Sequence, residues 1–191
     1  MCGQTASGKS TLFKEIVEKY PQVNPLISFT TRPKREGERE SVDYFFITNK
    51  EYEGHLFAGD IIAPREYTVA SGDVWYYGIN KNKMSENNWN IGIFDPDGLR
   101  SVQKYHPEIE IVVIYVDATP KTRLQRYLNR ENVDVWEICR RMLDDKKVFQ
   151  DFEKEFDCYR VWNETSKDAE DFLKTFDYLL LSDFVTLGNG Q

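Results

Sequence analysis

The sequence predicts an α/β fold in which helices flank a parallel β-sheet. Strand-like and helix-like segments alternate along the chain, and a glycine-rich phosphate-binding loop opens a helix near the start. The apolar segment at 109–116 is almost continuously β-branched, which is typical of a central parallel strand buried on both faces.

The first ten residues contain the phosphate-binding loop, Gly-Gln-Thr-Ala-Ser-Gly-Lys-Ser at 3–10, with the complete spacing G-x-x-x-x-G-K-[ST]. Its glycines allow the backbone amides to turn toward a phosphate. Lys9 adds a positive charge that can reach the terminal phosphates, and the Ser10 hydroxyl can be a ligand for Mg²⁺. A helix is predicted to follow, because apolar residues recur at helical spacing: Leu12, Phe13, Ile16, Val17 and Tyr20.

A phosphate-binding loop normally follows a buried strand. Only Met1 and Cys2 precede Gly3 here. We expect that strand to lie before Met1 in the native protein; the alternative is that another segment fills its place.

The remaining elements follow from periodicity and turn residues. Thr119 and Pro120 are typical of a helix start, as N-cap and first helical residue. Asp95 and Asp117 each follow a buried strand directly, where open α/β sheets bind ligands. Strands are predicted at 26–29, 44–47, 61–63, 67–69, 91–94, 109–116 and 158–162, helices at 48–58, 120–130, 134–150 and 166–181, and a charged loop at 30–43.

Composition narrows the possible functions. The chain has 191 residues, 40% of them hydrophobic and 30% charged, which predicts one globular domain with a substantial core. A net charge of −7 argues against a nucleic-acid partner. Three widely separated cysteines give neither a disulfide framework nor a metal-ligand spacing. Without a membrane-length apolar run or a visible signal peptide, we expect a cytoplasmic protein with no membrane partner.

The charged segment contains a second candidate phosphate site. Arg32 and Arg35 can place two guanidinium groups on one phosphate, supported by the hydroxyls of Ser28 and Tyr44. Two arginines in a charged loop are usually solvated, so this interpretation depends on the phosphate-binding loop elsewhere in the chain.

Together, four segments closely resemble guanylate kinases: the loop at 3–10, Thr-Thr-Arg-Pro-x-Arg-Glu-Gly-Glu at 30–38, Val-Asp-Tyr at 42–44 and Tyr-Tyr-Gly at 76–78. They occur in the family's order, and the similarity ends near residue 180. The resemblance implies a single domain over 1–191. Within it are expected a P-loop NTPase core with a parallel sheet (1–29, 86–121 and 146–191), an inserted β-rich nucleoside-monophosphate-binding subdomain (30–85) and a helical lid (122–145).

The implied reaction is phosphoryl transfer from MgATP to a nucleoside monophosphate, with GMP or dGMP as the default acceptor. By the resemblance, the catalytic residues are Lys9, Arg32, Arg126, Arg130 and Arg141. ATP is expected at Gly3, Ala6, Ser7, Gly8, Lys9, Ser10, Thr11, Arg126, Arg130 and Asn163, with Ser10 as the Mg²⁺ ligand. The monophosphate is expected at Ser28, Arg32, Arg35, Tyr44, Glu66, Tyr77 and Asp95.

Spacing gives the lid arginines independent support, since Arg123, Arg126 and Arg130 lie three and four apart on one helix face. Such a stripe could neutralise charge on a transferred phosphoryl group, or it could be a surface stripe paired with acidic neighbours. No general base is required, because a monophosphate oxygen is already an anionic nucleophile.

The departures from the family concentrate where its members contact guanine. Ala63 stands where the family has a Glu, and Ile79 stands where it has Ser or Thr. Glu66 could supply the carboxylate if the strand has a different register. Each lost polar contact is worth roughly 1–3 kcal/mol, so the preference for guanine could shift.

Three functions therefore stay open. The first is a GMP or dGMP kinase, and the second is a kinase of another monophosphate or a phosphorylated small molecule. The third is a non-catalytic guanylate-kinase-like binding module, which the complete phosphate-binding loop disfavours. The protein is expected to be a monomer or a homodimer.

Overall fold

The computed structural model describes residues 1–68, 72–130 and 133–187, with side chains described as far as residue 180. Over these residues the architecture is mixed α/β, with parallel strand pairs and flanking helices, and the predicted fold class is confirmed. No helix within the described ranges is both long and apolar enough to span a bilayer.

The helices and strands begin and end as follows. The helices are α1 Lys9–Lys19, α2 Asn49–Phe57, α3 Pro96–Tyr105, α4 Pro120–Leu128, α5 Val135–Val148, α6 Phe152–Glu155 and α7 Ser166–Leu187. The strands are β1 Asn24–Leu26, β2 Ser28–Thr30, β3 Phe45–Phe46, β4 Ile61–Thr68, β5 Val74–Asn80, β6 Asn90–Gly92, β7 Val113–Asp117 and β8 Cys158–Trp162.

The chain divides into two compact units. The first consists of residues 1–16 with the described part of 112–191, and the second consists of the described part of 17–111. The predicted boundaries of core, monophosphate-binding subdomain and lid stay a prediction.

In the first unit, β7 and β8 pair in parallel from Val113 opposite Cys158 to Asp117 opposite Trp162. All five residues of β7 are buried. Cys2 continues this pairing as an isolated bridge, because its N–H donates to the carbonyl of Ile114 and its carbonyl accepts from Val116, both at 2.8 Å. The phosphate-binding loop therefore starts beside a buried parallel strand.

In the second unit, four strands form a sheet in the order β3-β2-β5-β4, while β1 and β6 form a separate parallel pair. Strands β2 and β3 are parallel, and the other pairs of the four-stranded sheet are antiparallel. One buried cluster consists of Leu26, Ile62 and Ile79.

Strand β4 is irregular between Ile62 and Arg65. Ile62 lies opposite Ile79, but Arg65 rather than Pro64 lies opposite Tyr77, so β4 carries one extra residue. Ala63, within this bulge, has a φ of +50°. A bulge re-aims the side chains that follow it, because the extra residue shifts the alternation of side chains between the two faces of the sheet.

Several predicted strands differ from the structure. The predicted strand at 26–29 is interrupted at Ile27, which separates β1 from β2. The segments 61–63 and 67–69 belong to one strand, β4, as far as Thr68, and Val69 lies outside the described residues. Strand β7 begins at Val113 rather than at residue 109, because the chain is still turning after α3, with the N–H of Ile109 donating to the carbonyl of His106 at 3.0 Å.

Candidate active site

The phosphate-binding loop runs from Cys2, beside β7, into the first turn of α1. Gly8 has a φ of +99°, and a Cβ there would lie 2.1 Å from Nδ2 of Asn163, so only glycine fits. Lys9 folds back over the loop and donates from Nζ to the carbonyls of Gly3 at 2.6 Å and Gln4 at 2.8 Å. Burial lowers the pKa of Lys9 to about 8, while the cations of Arg123 and Arg130 lower it further and Cys2 and Asp145 oppose the shift.

A buried ion pair holds the loop from the outside. Arg123 of α4 is 3% exposed and donates from Nη2 to Oδ2 of Asp145 on α5 at 2.5 Å. Its Nε donates to the carbonyl of Thr5 at 2.8 Å, and the same Asp145 oxygen accepts from the N–H of Thr5 at 2.7 Å. This pair therefore fixes both the N–H and the carbonyl of Thr5, which belong to the two successive peptide groups of the loop that flank its Cα, and Gln4 is a further partner of Arg123.

Asn163 and Arg126 meet at the next point of the loop, the carbonyl of Ser7. Asn163 donates to it from Nδ2 at 2.9 Å, and Arg126 donates from Nη1 at 3.1 Å. Asn163 follows β8 and is itself fixed by a backbone bond from its N–H to the carbonyl of Asp117 at 2.8 Å. The structure thus brings these two predicted residues to the loop.

Asp117, at the end of β7, has a structural set of partners. It accepts from Nη2 of Arg160 at 2.6 Å and from the N–H of Ala118 at 2.8 Å. Its oxygens are therefore engaged within the first unit.

The other two predicted lid arginines are placed differently. Arg130 is exposed with its guanidinium 5.1 Å from the ring of Tyr127, and its charge acts on Lys9. Arg141 donates from Nε to Glu137 at 2.6 Å on its own helix. Hydrogen bonds from Arg140 and Arg141 lower the pKa of Glu137 to about 2 against the opposing effect of burial.

Ser10 and Thr11 lie in the first turn of α1 with exposed side chains. Mg²⁺ bound with a nucleotide typically takes one or two protein oxygens and completes its shell with phosphates and waters. The Ser10 hydroxyl, beside Lys9, fits that requirement as a hard oxygen donor.

The second unit holds the candidate acceptor site. Arg32 is 4% exposed and pairs with both carboxylate oxygens of Glu38, from Nη1 at 2.7 Å and from Nη2. Its guanidinium lies 4.8 Å from the ring of Tyr44. Burial opposes ionisation of Glu38, but hydrogen bonds from Arg32 and from the N–H of Arg35 hold the pKa of Glu38 below its usual range.

A row of tyrosines continues from Arg32 along the sheet. The ring of Tyr44 lies 6.0 Å from that of Tyr77, which in turn lies 5.3 Å from that of Tyr67. Ser28 lies opposite Ile79 on β5. Because Ile79 is two residues from Tyr77 in the strand, the side chains of Ser28 and Tyr77 lie on the same face of the sheet. The Arg35 side chain is exposed at the edge of this group.

Asp95 lies at the far end of the tyrosine row. One carboxylate oxygen caps α3 by accepting from the N–H of Gly98 at 2.6 Å, and the other accepts from Nε of Arg65 at 3.1 Å and from the Tyr67 hydroxyl. Glu66 is not brought to this group, because it lies opposite Tyr76 on the other face of the sheet.

The two departures from the family, Ala63 and Ile79, have structural explanations. Ile79 is 3% exposed and packs against Leu26 and Ile62. Ala63 is 6% exposed within the bulge of β4. Neither residue offers a polar side chain to a ligand.

Residues 1–176 match the family model described as guanylate kinase. The chain belongs to the guanylate kinase family. It is 32% identical over 176 residues to a guanylate kinase of Bifidobacterium longum, which covers 88% of this chain and 87% of that protein. It is 29% identical over 177 residues to a guanylate kinase of Fusobacterium nucleatum, with 92% of each chain covered.

The fold agrees with this membership of the guanylate kinase family. A crystal structure of guanylate kinase from Anaplasma phagocytophilum superposes with a TM-score of 0.63 at 20% identity, covering 95% of this chain and 84% of that one. The fold is therefore that of a P-loop NTPase, and the family suggests a nucleoside-monophosphate kinase.

The sequence analysis assigns no role to two residues that this guanylate kinase fold pairs with arginines. Glu38 lies six residues after Arg32, and its negative charge so close in sequence to that arginine is a signal from which the ion pair could be predicted. Asp145 pairs with Arg123 across 22 residues and two helices, and no local pattern marks that pairing.

Proposed function

We propose that the protein is an ATP-dependent nucleoside-monophosphate kinase that converts GMP or dGMP to GDP or dGDP, with ADP as the second product. The observation that carries this proposal is the phosphate-binding loop. It is complete in sequence, and Arg123, Asp145, Arg126 and Asn163 all fix its backbone. A binding module would have no need for a loop held in this way.

The residues of the first unit would act on the donor. The amides of the loop and the Lys9 cation bind the phosphates of ATP, and Arg126 can exchange the Ser7 carbonyl for a phosphate oxygen. Ser10 would hold Mg²⁺ together with the phosphates, and the bound ion would screen their charge. Arg130 and Arg141 supply further positive charge, as the family resemblance implies.

The residues of the second unit would act on the acceptor. Arg32 and Arg35, with Ser28, Tyr44 and Tyr77, hold the phosphate of the monophosphate. Glu38 keeps the Arg32 guanidinium oriented. An oxygen of that phosphate attacks the γ-phosphorus of ATP, the bond from the γ-phosphorus to the bridging oxygen breaks, and the electron pair leaves with ADP. Positioning and charge neutralisation supply the catalysis.

A second candidate is a kinase with a different acceptor. It is favoured by the burial of Ile79 in an apolar cluster and by Ala63, since these positions give guanine no carboxylate and no hydroxyl.

An ADP-release assay with MgATP tests both candidates. The acceptors are GMP, dGMP, AMP, CMP, UMP, dTMP and IMP, and a Lys9→Ala variant purified in parallel reports any contaminating kinase. We expect turnover of GMP and dGMP that the variant lacks. Turnover of another acceptor supports the second candidate, and folded protein that releases no ADP with any acceptor overturns the kinase proposal.

A further inference from the structure

Arg65 occupies a position that the family resemblance does not assign. The extra residue in β4 places it opposite Tyr77, so both side chains project from the same face of the sheet. Its guanidinium lies 6.0 Å from the ring of Tyr67, which contacts Tyr77. The row of three tyrosines therefore has a guanidinium at each end, Arg32 at one and Arg65 at the other.

Two carboxylates orient the Arg65 guanidinium. Nε donates to Asp95 at 3.1 Å, and Nη2 donates to Asp97 at 2.5 Å. Within the described residues no acceptor is bonded to Nη1, and the side chain is 28% exposed. Nη1 and the second hydrogen of Nη2 therefore face outward as a pair of donors.

The carboxylate oxygens of Asp95 and Asp97 are hydrogen-bonded within the protein. Oδ1 of Asp95 caps Gly98, and its Oδ2 accepts from Arg65 and Tyr67. Oδ2 of Asp97 accepts from Arg65, and its Oδ1 accepts from Arg100. Every oxygen of the two carboxylates already has a donor, and Oδ2 of Asp95 has two, so an N–H edge of a base would have to compete with these partners.

We propose that Arg65 reads the acceptor base from its carbonyl-bearing edge. In guanine this edge is O6 and N7, which an arginine fork matches with two hydrogen bonds. Asp95 and Asp97 position the fork, and the 2-amino group of guanine is not read. This inference rests on the proposed function, which places the acceptor's phosphate at Arg32 and its ring along the tyrosines.

Three monophosphates separate the two edges of the base. GMP has both the O6 carbonyl and the 2-amino group, IMP lacks only the amino group, and 2-aminopurine riboside monophosphate lacks only the carbonyl. Their binding is measured by isothermal titration calorimetry with the intact protein and no ATP. We expect GMP and IMP to agree within about threefold and the 2-aminopurine compound to bind about tenfold more weakly or worse.

An Arg65→Met variant tests the residue itself. We expect it to weaken GMP binding about tenfold or more and to abolish the advantage of GMP over the 2-aminopurine compound. Because it also releases the Asp95 and Asp97 carboxylates, IMP should fall behind GMP. Arg100→Met is the matched control, since it removes the other guanidinium on Asp97 and leaves Arg65 in place. Thermal unfolding of each variant checks the fold.

Several results would overturn the inference. They are GMP binding at least about tenfold tighter than IMP in the unchanged protein, GMP affinity unaffected in folded Arg65→Met protein, or no binding of any of the three compounds. The kinase proposal fails separately. If binding depends on Arg65 but no ADP is released, the kinase assignment is wrong and the inference stands.

Discussion

Lys9 shows how its surroundings change the chemistry of a single residue. Its ammonium group is enclosed by the phosphate-binding loop and donates hydrogen bonds to the carbonyls of Gly3 and Gln4. Burial lowers its pKa to about 8, so Lys9 loses its charge at mildly alkaline pH.

We therefore expect kcat/KM for MgATP to fall as pH rises through about 8, because the free enzyme loses the Lys9 cation there rather than near the ordinary value of 10.5. A pH series of initial rates at saturating GMP measures this. Lys9→Arg keeps its charge throughout the range, so any residual activity of that variant should show no such fall. A rate that stays constant well above pH 8 in the unchanged protein would contradict the assignment.

At the residue scale, the sequence predicts motifs of contiguous residues, but it does not predict which side chains share a face of the sheet, because that depends on strand register. The phosphate-binding loop is a local motif, and the structure places its predicted partners Arg126 and Asn163 on it. Glu66 and Arg65 are adjacent in the chain but lie on opposite faces of the sheet, and one extra residue in β4 decides which of them faces Tyr77. A bulge has no sequence signature strong enough to settle that choice.

At the scale of elements, α4 and α5 hold the loop through one ion pair. The spacing of Arg123, Arg126 and Arg130 predicts one shared face, yet Arg123 is buried against Thr5 and Asp145 while Arg130 is exposed. Arg123 is thus a positioning residue for the loop, and the open alternative of a solvated surface stripe does not describe it.

We expect Asp145→Asn to lower the free energy of unfolding by about 3–5 kcal/mol, because it leaves the Arg123 cation buried without a counter-charge. Urea unfolding followed by circular dichroism measures the change. Asp144→Asn is the matched control, since Asp144 pairs with Arg140 at the surface, and its loss should cost less than about 1 kcal/mol. Equal effects of the two substitutions would mean that Asp145 does not balance a buried charge.

Element prediction succeeds where burial is continuous and fails where the chain turns. Helix α4 starts at Pro120 with Thr119 as its N-cap, as predicted. The β-branched run at 109–116 is apolar throughout, but the turn at Ile109 leaves only Val113–Asp117 in the strand. Strand β5 carries the Tyr-Tyr-Gly motif and is not predicted as a strand, because its polar and aromatic residues show no clear alternation.

At the scale of the whole molecule, the residues proposed for the donor and those proposed for the acceptor belong to different compact units. Lys9, Arg126 and Asn163 belong to the first unit, which holds the phosphate-binding loop. Arg32, Tyr44 and Tyr77 belong to the second. The hydrogen bonds described for each group lie within its own unit, so a substitution in one group leaves the contacts of the other group in place.

We accordingly expect Lys9→Ala and Arg32→Ala each to abolish turnover through a different ligand. Lys9→Ala should weaken binding of a non-hydrolysable ATP analogue and leave GMP affinity within about twofold. Arg32→Ala should weaken GMP binding and leave affinity for the ATP analogue within about twofold. The reason is that sites that share no partners act independently. Calorimetric titration of each ligand alone into each folded variant makes the comparison, with Lys14→Ala on α1 as a control for general surface changes. If either substitution weakened both ligands equally, the division of donor and acceptor residues between the two units would be wrong. If either variant kept near-normal turnover, that residue would have no place in the reaction.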